Sequence, residues 1–228
     1  MNAIKLTSIA AAGFAAVAMN AASAEAFSFS VGGTAVSGEG YMSSVLGATT
    51  INFNSGDPNP STAFVTFSGL TDNIVQGSIV NNYATPLGNT THYLTISNVG
   101  SGKAGATGSV TLNFASALDY FGLYWGSVDP YNSISFFNGD TLLATFTGND
   151  VSTTASGSWV SATDNLYANF FAGHDEAFNK VVLSSTGIAF ESDNFAYRAA
   201  PEPLTLGGTA IGLALGARMR KKMKAKAA

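Results

Sequence analysis

Between residues 27 and 200 of this 228-residue chain, apolar side chains recur at every second position in short runs. Phe27, Phe29 and Val31 alternate with Ser28 and Ser30, and Val110, Leu112 and Phe114 alternate with Thr111 and Asn113. A period of two sets one face of an extended chain on a core and the other toward water, the pattern of a half-buried strand. Further strands are expected at 62–68, 73–80, 92–97, 119–126, 132–138, 141–147, 165–171, 178–184 and 188–197. Turn residues separate them, as in Ser55-Gly56-Asp57-Pro58, the stretch 100–108 and Gly148-Asn149-Asp150. No interval carries a long helical stripe, and the best helical rival, 161–180, alternates better as a strand. Many short strands favour an all-β fold, an antiparallel β-sandwich or jelly roll.

One hairpin is spelled out in more detail. Asn138-Gly139 stands between Phe136-Phe137 and Thr141-Leu142-Leu143, and Asn-Gly accepts the left-handed angles of a two-residue type I′ turn. Ile134 and Phe136, with Leu142, Ala144 and Phe146, are its expected buried face. The Gly/Ser/Ala stretch 100–109 is too short to divide the chain, so residues 25–200 read as one domain with a long internal loop.

Composition narrows the function classes. The chain has no cysteine, which excludes disulfides, cysteine nucleophiles and Cys-ligated zinc. Between 27 and 200 only Lys103, Lys180 and Arg198 oppose twelve acidic residues, a balance of about −9 that repels phosphate backbones and argues against nucleic acid as a partner. Gly100-Ser101-Gly102-Lys103-Ala104 lacks the spacing and the hydroxyl of a phosphate-binding loop. There is no GxSxG elbow, and His92 and His174 cannot form HExxH; His174-Asp175-Glu176 reads as a solvated turn. No catalytic residue is assigned, and the chain is read as a non-enzyme. A carboxylate-pair glycan hydrolase is the remote alternative, since that chemistry needs only two facing acids.

The two ends read as signals. Residues 1–24 carry Lys5, an Ala-rich apolar run from Ile9 to Met19, and Ala22-Ser23-Ala24, the three parts of a secretory signal peptide. Cleavage is expected after Ala24 or Ala26. At the other end Pro201-Glu202-Pro203 precedes an apolar stretch, 204–217, and then Arg218, Arg220, Lys221, Lys222, Lys224 and Lys226. Fourteen residues in a helix span about 21 Å, short of the roughly 30 Å hydrocarbon core, so a short transmembrane helix here needs the flanking arginines to snorkel. The basic cluster then belongs on the cytoplasmic side and the domain outside.

This tail, 201–228, resembles the PEP-CTERM sorting signal of exported bacterial surface proteins, also called an ice-binding-protein C-terminal domain, a name that says nothing of ice. The resemblance implies that signal peptidase and an exosortase process the chain. It also implies that the inner membrane holds the precursor transiently, and that the mature domain reaches the cell surface or extracellular matrix in a structural or adhesive role. Trp125-Gly126-Ser127-Val128-Asp129-Pro130-Tyr131-Asn132 and Asp193-Asn194-Phe195-Ala196-Tyr197 also resemble segments found in a subset of such proteins.

Two ligand expectations attach to these segments. Tyr124, Trp125, Asp129, Tyr131 and Asn132 combine stacking faces with hydrogen-bonding groups, suited to a carbohydrate-binding module for exopolysaccharide, although Phe121, Leu123 and Trp125 alternate equally well as core. Asp129, Asp193 and Asn194 are the oxygen donors nominated for a structural Ca²⁺, with no EF-hand spacing to support them.

Overall fold

The structure is a computed structural model that describes residues 26–173 and 176–201. The expected signal peptide at 1–24, the apolar stretch 204–217 and the tail residues Glu202, Pro203, Arg218, Arg220, Lys221 and Lys222 lie outside the described residues, as do His174 and Asp175.

The described chain is all-β. In order it forms β1 (Ser28–Val31), β2 (Thr34–Val36), β3 (Gly40–Met42), β4 (Thr49–Ile51), β5 (Val65–Ser68), β6 (Ile74–Val75) and β7 (Tyr93–Ile96). The long β8 (Ser109–Gly126), β9 (Asn132–Asn138) and β10 (Thr141–Thr147) follow, then one helical turn, α1 (Gly148–Val151), and β11 (Leu166–Phe171), β12 (Phe178–Ser185) and β13 (Phe190–Ala199). Every pairing between named strands is antiparallel, in an eleven-stranded sheet and a small β2–β3 hairpin.

β8 organises the sheet by changing partners along its length. Its first part, 109–114, lies between β12 and β5, and its second part, 120–126, between β11 and β13. The change falls where Phe178 pairs with Leu118 but Lys180 pairs with Asn113, so the intervening residues of β8 bulge away from β12. Ala115, Ser116 and Ala117 are exposed there, small residues that bend the strand without burying bulk. One strand group, β10-β9-β12, thus continues through β8 into the other, where β13 carries β7 and β6 at one end and β4 at the other.

Aromatic side chains from both groups meet in one core. Phe136 of β9 touches Phe121 of β8 and Phe170 of β11, with ring centres 6.3 and 5.2 Å apart. Phe195 of β13 packs on Phe53 and Phe121 at 5.1 and 5.6 Å. The segment at 119–126 is nearly all buried on both faces, which is why its period-2 pattern is weak: a central strand covered on both sides reads as an apolar run.

The hairpin differs from its expectation. Asn138 pairs with Thr141, so the two loop residues are Gly139 and Asp140, and only Gly139 (φ 57°) has left-handed angles. That is the glycine-first, type II′ arrangement rather than type I′ across Asn138-Gly139. Asn138 stays in the strand, and Gly139 N–H donates to Asn179 Oδ1 at 2.8 Å. A bulge between Leu142 and Ala144 turns Leu142 outward, opposite Phe137, while Leu143, Ala144 and Phe146 pack toward the core. Of 73–80, only Ile74–Val75 forms a strand; the remainder, with Asn73 and Gly77, is loop.

Candidate functional site

A cavity of about 230 Å³ opens where β8 ends and β13 begins. Glu191 of β13 sits directly opposite Gly126, the last residue of β8. Four loops converge on that pair: 78–84 after β6, 127–129 after β8, 157–159 before β11, and 188–189 leading into β13.

The floor is acidic. Glu191 is 2% exposed; its Oε1 accepts from the Ala84 N–H at 2.9 Å and its Oε2 from the Ser127 hydroxyl at 2.6 Å. Burial pushes its carboxyl up to about 7, the two hydrogen bonds oppose that rise, and the nearby charge of Asp129 adds to it. Asp129 is half-buried and accepts from the Tyr131 hydroxyl at 2.6 Å. Burial raises Asp129 as well, against the pull of the Tyr131 hydrogen bond. The Tyr131 hydroxyl also contacts the Ile188 carbonyl at 2.8 Å, tying the 127–131 turn to the segment before β13.

The mouth is apolar. Trp159 is 55% exposed on a turn, and Ile79 and Ile188 are exposed beside it. Trp159 is held there by a loop anchored on one buried carboxylate. Asp164 accepts hydrogen bonds from the hydroxyls of Ser152 (2.8 Å), Thr154 and Ser156 (2.5 Å), and from the N–H groups of Ser156 and Ser158 at 3.2 and 3.3 Å. Burial alone would raise Asp164, but those donors outweigh it and hold the carboxyl down at about 2. Asn165 adds Nδ2 bonds to the Ser158 and Ser161 carbonyls, while its Oδ1 receives the Ser127 N–H. Gly157 N–H donates to the Val128 carbonyl, which seats the loop on the pocket rim.

The structure corrects the expected glycan surface. Tyr124, Trp125 and Asn132 are fully buried and present no face to a ligand. Trp125 stacks on Phe190 with ring centres 4.4 Å apart. The Tyr124 hydroxyl donates to the Leu87 carbonyl, and Asn132 bonds the Ala189 carbonyl and the Ser185 hydroxyl. This part of β8 is buried along its whole length, so its stacking faces are spent inside the core. Asp129 and Tyr131 remain at the cavity, Asp129 as part of its lining. The pocket residues that sequence reading passed over are Trp159, Glu191, Ser127 and Ile79.

The three nominated calcium donors are divided. Asp129 belongs to the pocket, whereas Asp193 Oδ2 accepts from Asn89 Nδ2 at 2.6 Å and its Oδ1 from the Asn194 N–H at 2.7 Å, and the two acids share no hydrogen-bond partner. Burial pushes Asp193 up to about 7, helped by the charge of Glu39. Asn194 (φ 48°) lies in a bulge of β13, and its Nδ2 bonds the Glu39 and Tyr41 carbonyls at 2.7 and 3.2 Å. Near Asp193, Glu39 Oε2 and Asn194 Oδ1 are buried without a hydrogen bond, and these are the oxygens that a hard cation would use. Among the described residues no three His, Cys, Asp or Glu side chains form a metal-sized group.

No family model, curated protein or solved structure matches this chain. No helix among the described residues is long and apolar enough to cross a membrane. Across β13 and β8, Asp193 pairs with Tyr124 and Ser192 with Trp125, so the segments 125–132 and 193–197 begin at neighbouring positions on the two strands without pairing with each other.

Proposed function

We propose that this chain is an exported surface protein, delivered through its Pro201-Glu202-Pro203 tail by an exosortase, whose domain acts adhesively by holding one saccharide unit in the cavity at the ends of β8 and β13. The observation that carries the adhesive reading is Trp159, an exposed indole at the mouth of a pocket that ends on Asp129, Ser127 and Glu191. Sugar recognition needs that pairing of a flat apolar face with a few fixed polar groups. The domain is read as a β-sandwich in which β10-β9-β12 faces the β11-β8-β13 group, a reading supported by the Phe136–Phe170 and Phe146–Phe170 contacts between them.

Binding is favoured over hydrolysis by the state of Glu191. A general acid must reach the leaving oxygen at hydrogen-bond distance, and this carboxyl is 2% exposed with both oxygens already engaged. The test is cosedimentation of the chain with exopolysaccharide. The proposal expects saturable binding that Trp159→Ala abolishes while leaving the melting temperature within about 2 °C of the parent. Binding unchanged by that substitution defeats the pocket reading, and turnover lost in Glu191→Gln would replace it with the hydrolase. Delivery is tested separately by intact mass: with the exosortase present, the recovered chain lacks the first 24–26 residues and everything beyond about residue 203. A retained basic tail in strains with and without the exosortase counts against sorting.

A further inference from the structure

Among the described residues no basic side chain balances the acidic floor of the pocket. Glu191 feels the charge of Asp129, and Asp129 feels that of Asp164. Of the three basic residues in the described chain, Arg198 is engaged by Asp119 at 2.9 Å and Lys180 by Asp140 at 3.0 Å. Lys103 stands in the loop before β8 and is not among the residues that line the cavity. Buried carboxylates without a counter-charge are costly, so an occupant that brings a positive charge gains most from this cavity. An anionic sugar such as a uronic acid meets repulsion from the same pair and from the surplus of acidic residues on the domain.

The walls decide what kind of cation fits. Ca²⁺ demands six to eight oxygens, and the acidic side chains lining this pocket are two carboxylates whose lone pairs are partly used, under an apolar rim of Trp159, Ile79 and Ile188. An organic cation uses both parts: a ring lies on the indole while an ammonium meets Asp129, with the indole face adding attraction of its own. At about 230 Å³ the cavity is smaller than the usual drug-sized site and takes one pyranose ring rather than several. We infer that the pocket selects a saccharide unit bearing a free primary amine, its ring against Trp159 and its ammonium against Asp129, with the buried Glu191 behind it. This rests on the saccharide reading above and names the sugar class it takes.

The experiment is a titration of the full chain, followed by tryptophan fluorescence, with β-1,4-linked trimers of glucosamine, N-acetylglucosamine and glucose. The glucosamine trimer is expected to bind about tenfold to hundredfold more tightly than either neutral trimer. Asp129→Asn, checked to melt as the parent does, should bring all three to the same affinity, and raising the salt should weaken the amine trimer selectively. Equal affinity for the three trimers, each lost in Trp159→Ala, overturns the amine selectivity and leaves the saccharide pocket standing. Absence of any Trp159-dependent binding overturns both. Displacement of the amine trimer by millimolar Ca²⁺, with a rise in melting temperature from Ca²⁺ alone, overturns the inference in favour of a metal site.

Discussion

Trp125 and Trp159 are the only tryptophans in the chain, and they occupy opposite environments. Trp125 is sealed against Phe190 with its Nε1 lacking any hydrogen-bond partner, whereas Trp159 is more than half exposed. Removing the first leaves a cavity in the centre of the core, and Trp125→Ala is expected to cost about 3–5 kcal/mol of stability in urea unfolding. Trp159→Ala removes a surface ring and is expected to change stability by less than about 0.5 kcal/mol while abolishing ligand binding. Gly157 supplies a third test. A Cβ there would run into the Asp129 carboxylate, and its φ of 69° already disfavours any side chain. Gly157→Ala is expected to lose about 1–2 kcal/mol and to disturb the pocket floor, read by unfolding and by ligand titration. The sequence held a signal for two of the pocket residues that were missed, Trp159 and Glu191. Trp159 has Gly157 and Ser161 at the positions that would share its face on a strand, and neither offers an apolar side chain, so it belongs at a surface. Glu191 stands in a polar run, Glu191-Ser192-Asp193-Asn194, within an otherwise apolar strand, where a buried acid needs a structural or functional reason. What could not be read was which aromatic residues of 120–131 are covered, because that depends on strands distant in the chain.

At the scale of elements, the loop from Ser152 to Asp164 is the piece that presents Trp159, and a single carboxylate holds it in shape. Asp164→Asn takes the charge from a cluster of hydroxyl and N–H donors, each hydrogen bond to the ionised group being worth about 1.5–3 kcal/mol. The expected result is proteolytic nicking confined to 152–164 and loss of ligand binding, with the strand content by circular dichroism unchanged. Nicking elsewhere in the chain would mean that Asp164 supports the whole sheet instead. The strands themselves were largely legible: β9 and β10 occupy the residues that alternation assigns them, and β11, β12 and β13 begin or end within about two residues of expectation. The short β2, β3 and β4 were not, because three-residue strands are too brief to establish a period. The hairpin register also escaped, since Asn-Gly and Gly-Asp are both competent turn pairs and the bulge at Leu142 to Ala144, invisible in composition, decides between them.

For the whole molecule, the buried acids set the response to pH. Glu191 and Asp193 are pushed up to about 7 from ordinary values of 4.5 and 3.8, so the folded chain binds protons more tightly than the unfolded chain. Between about pH 4 and 7 the folded state therefore carries more protons, and stability falls as pH rises through that window. Asp164 has the opposite sign: held at about 2, it contributes stability above about pH 4 that is lost as pH falls toward 2. Without ligand, the melting temperature is expected to peak near pH 4–5 and to be lower by about 5 °C or more at pH 8. A flat profile across that range would mean that a cation already neutralises one of the two acids. The all-β class was readable from period and turn residues; the pocket was not, because it is assembled from four loops whose meeting depends on β8 changing partners midway.

The proposed saccharide pocket is tested most directly by ¹⁵N NMR of the chain during titration with exopolysaccharide oligosaccharides. The account predicts that the Trp159 indole N–H and the Ala84 amide, which donates to Glu191, shift together and saturate while the buried Trp125 indole stays fixed. Saturating shifts confined to residues remote from the cavity, such as the exposed Phe29 and Val31 of β1, would contradict it.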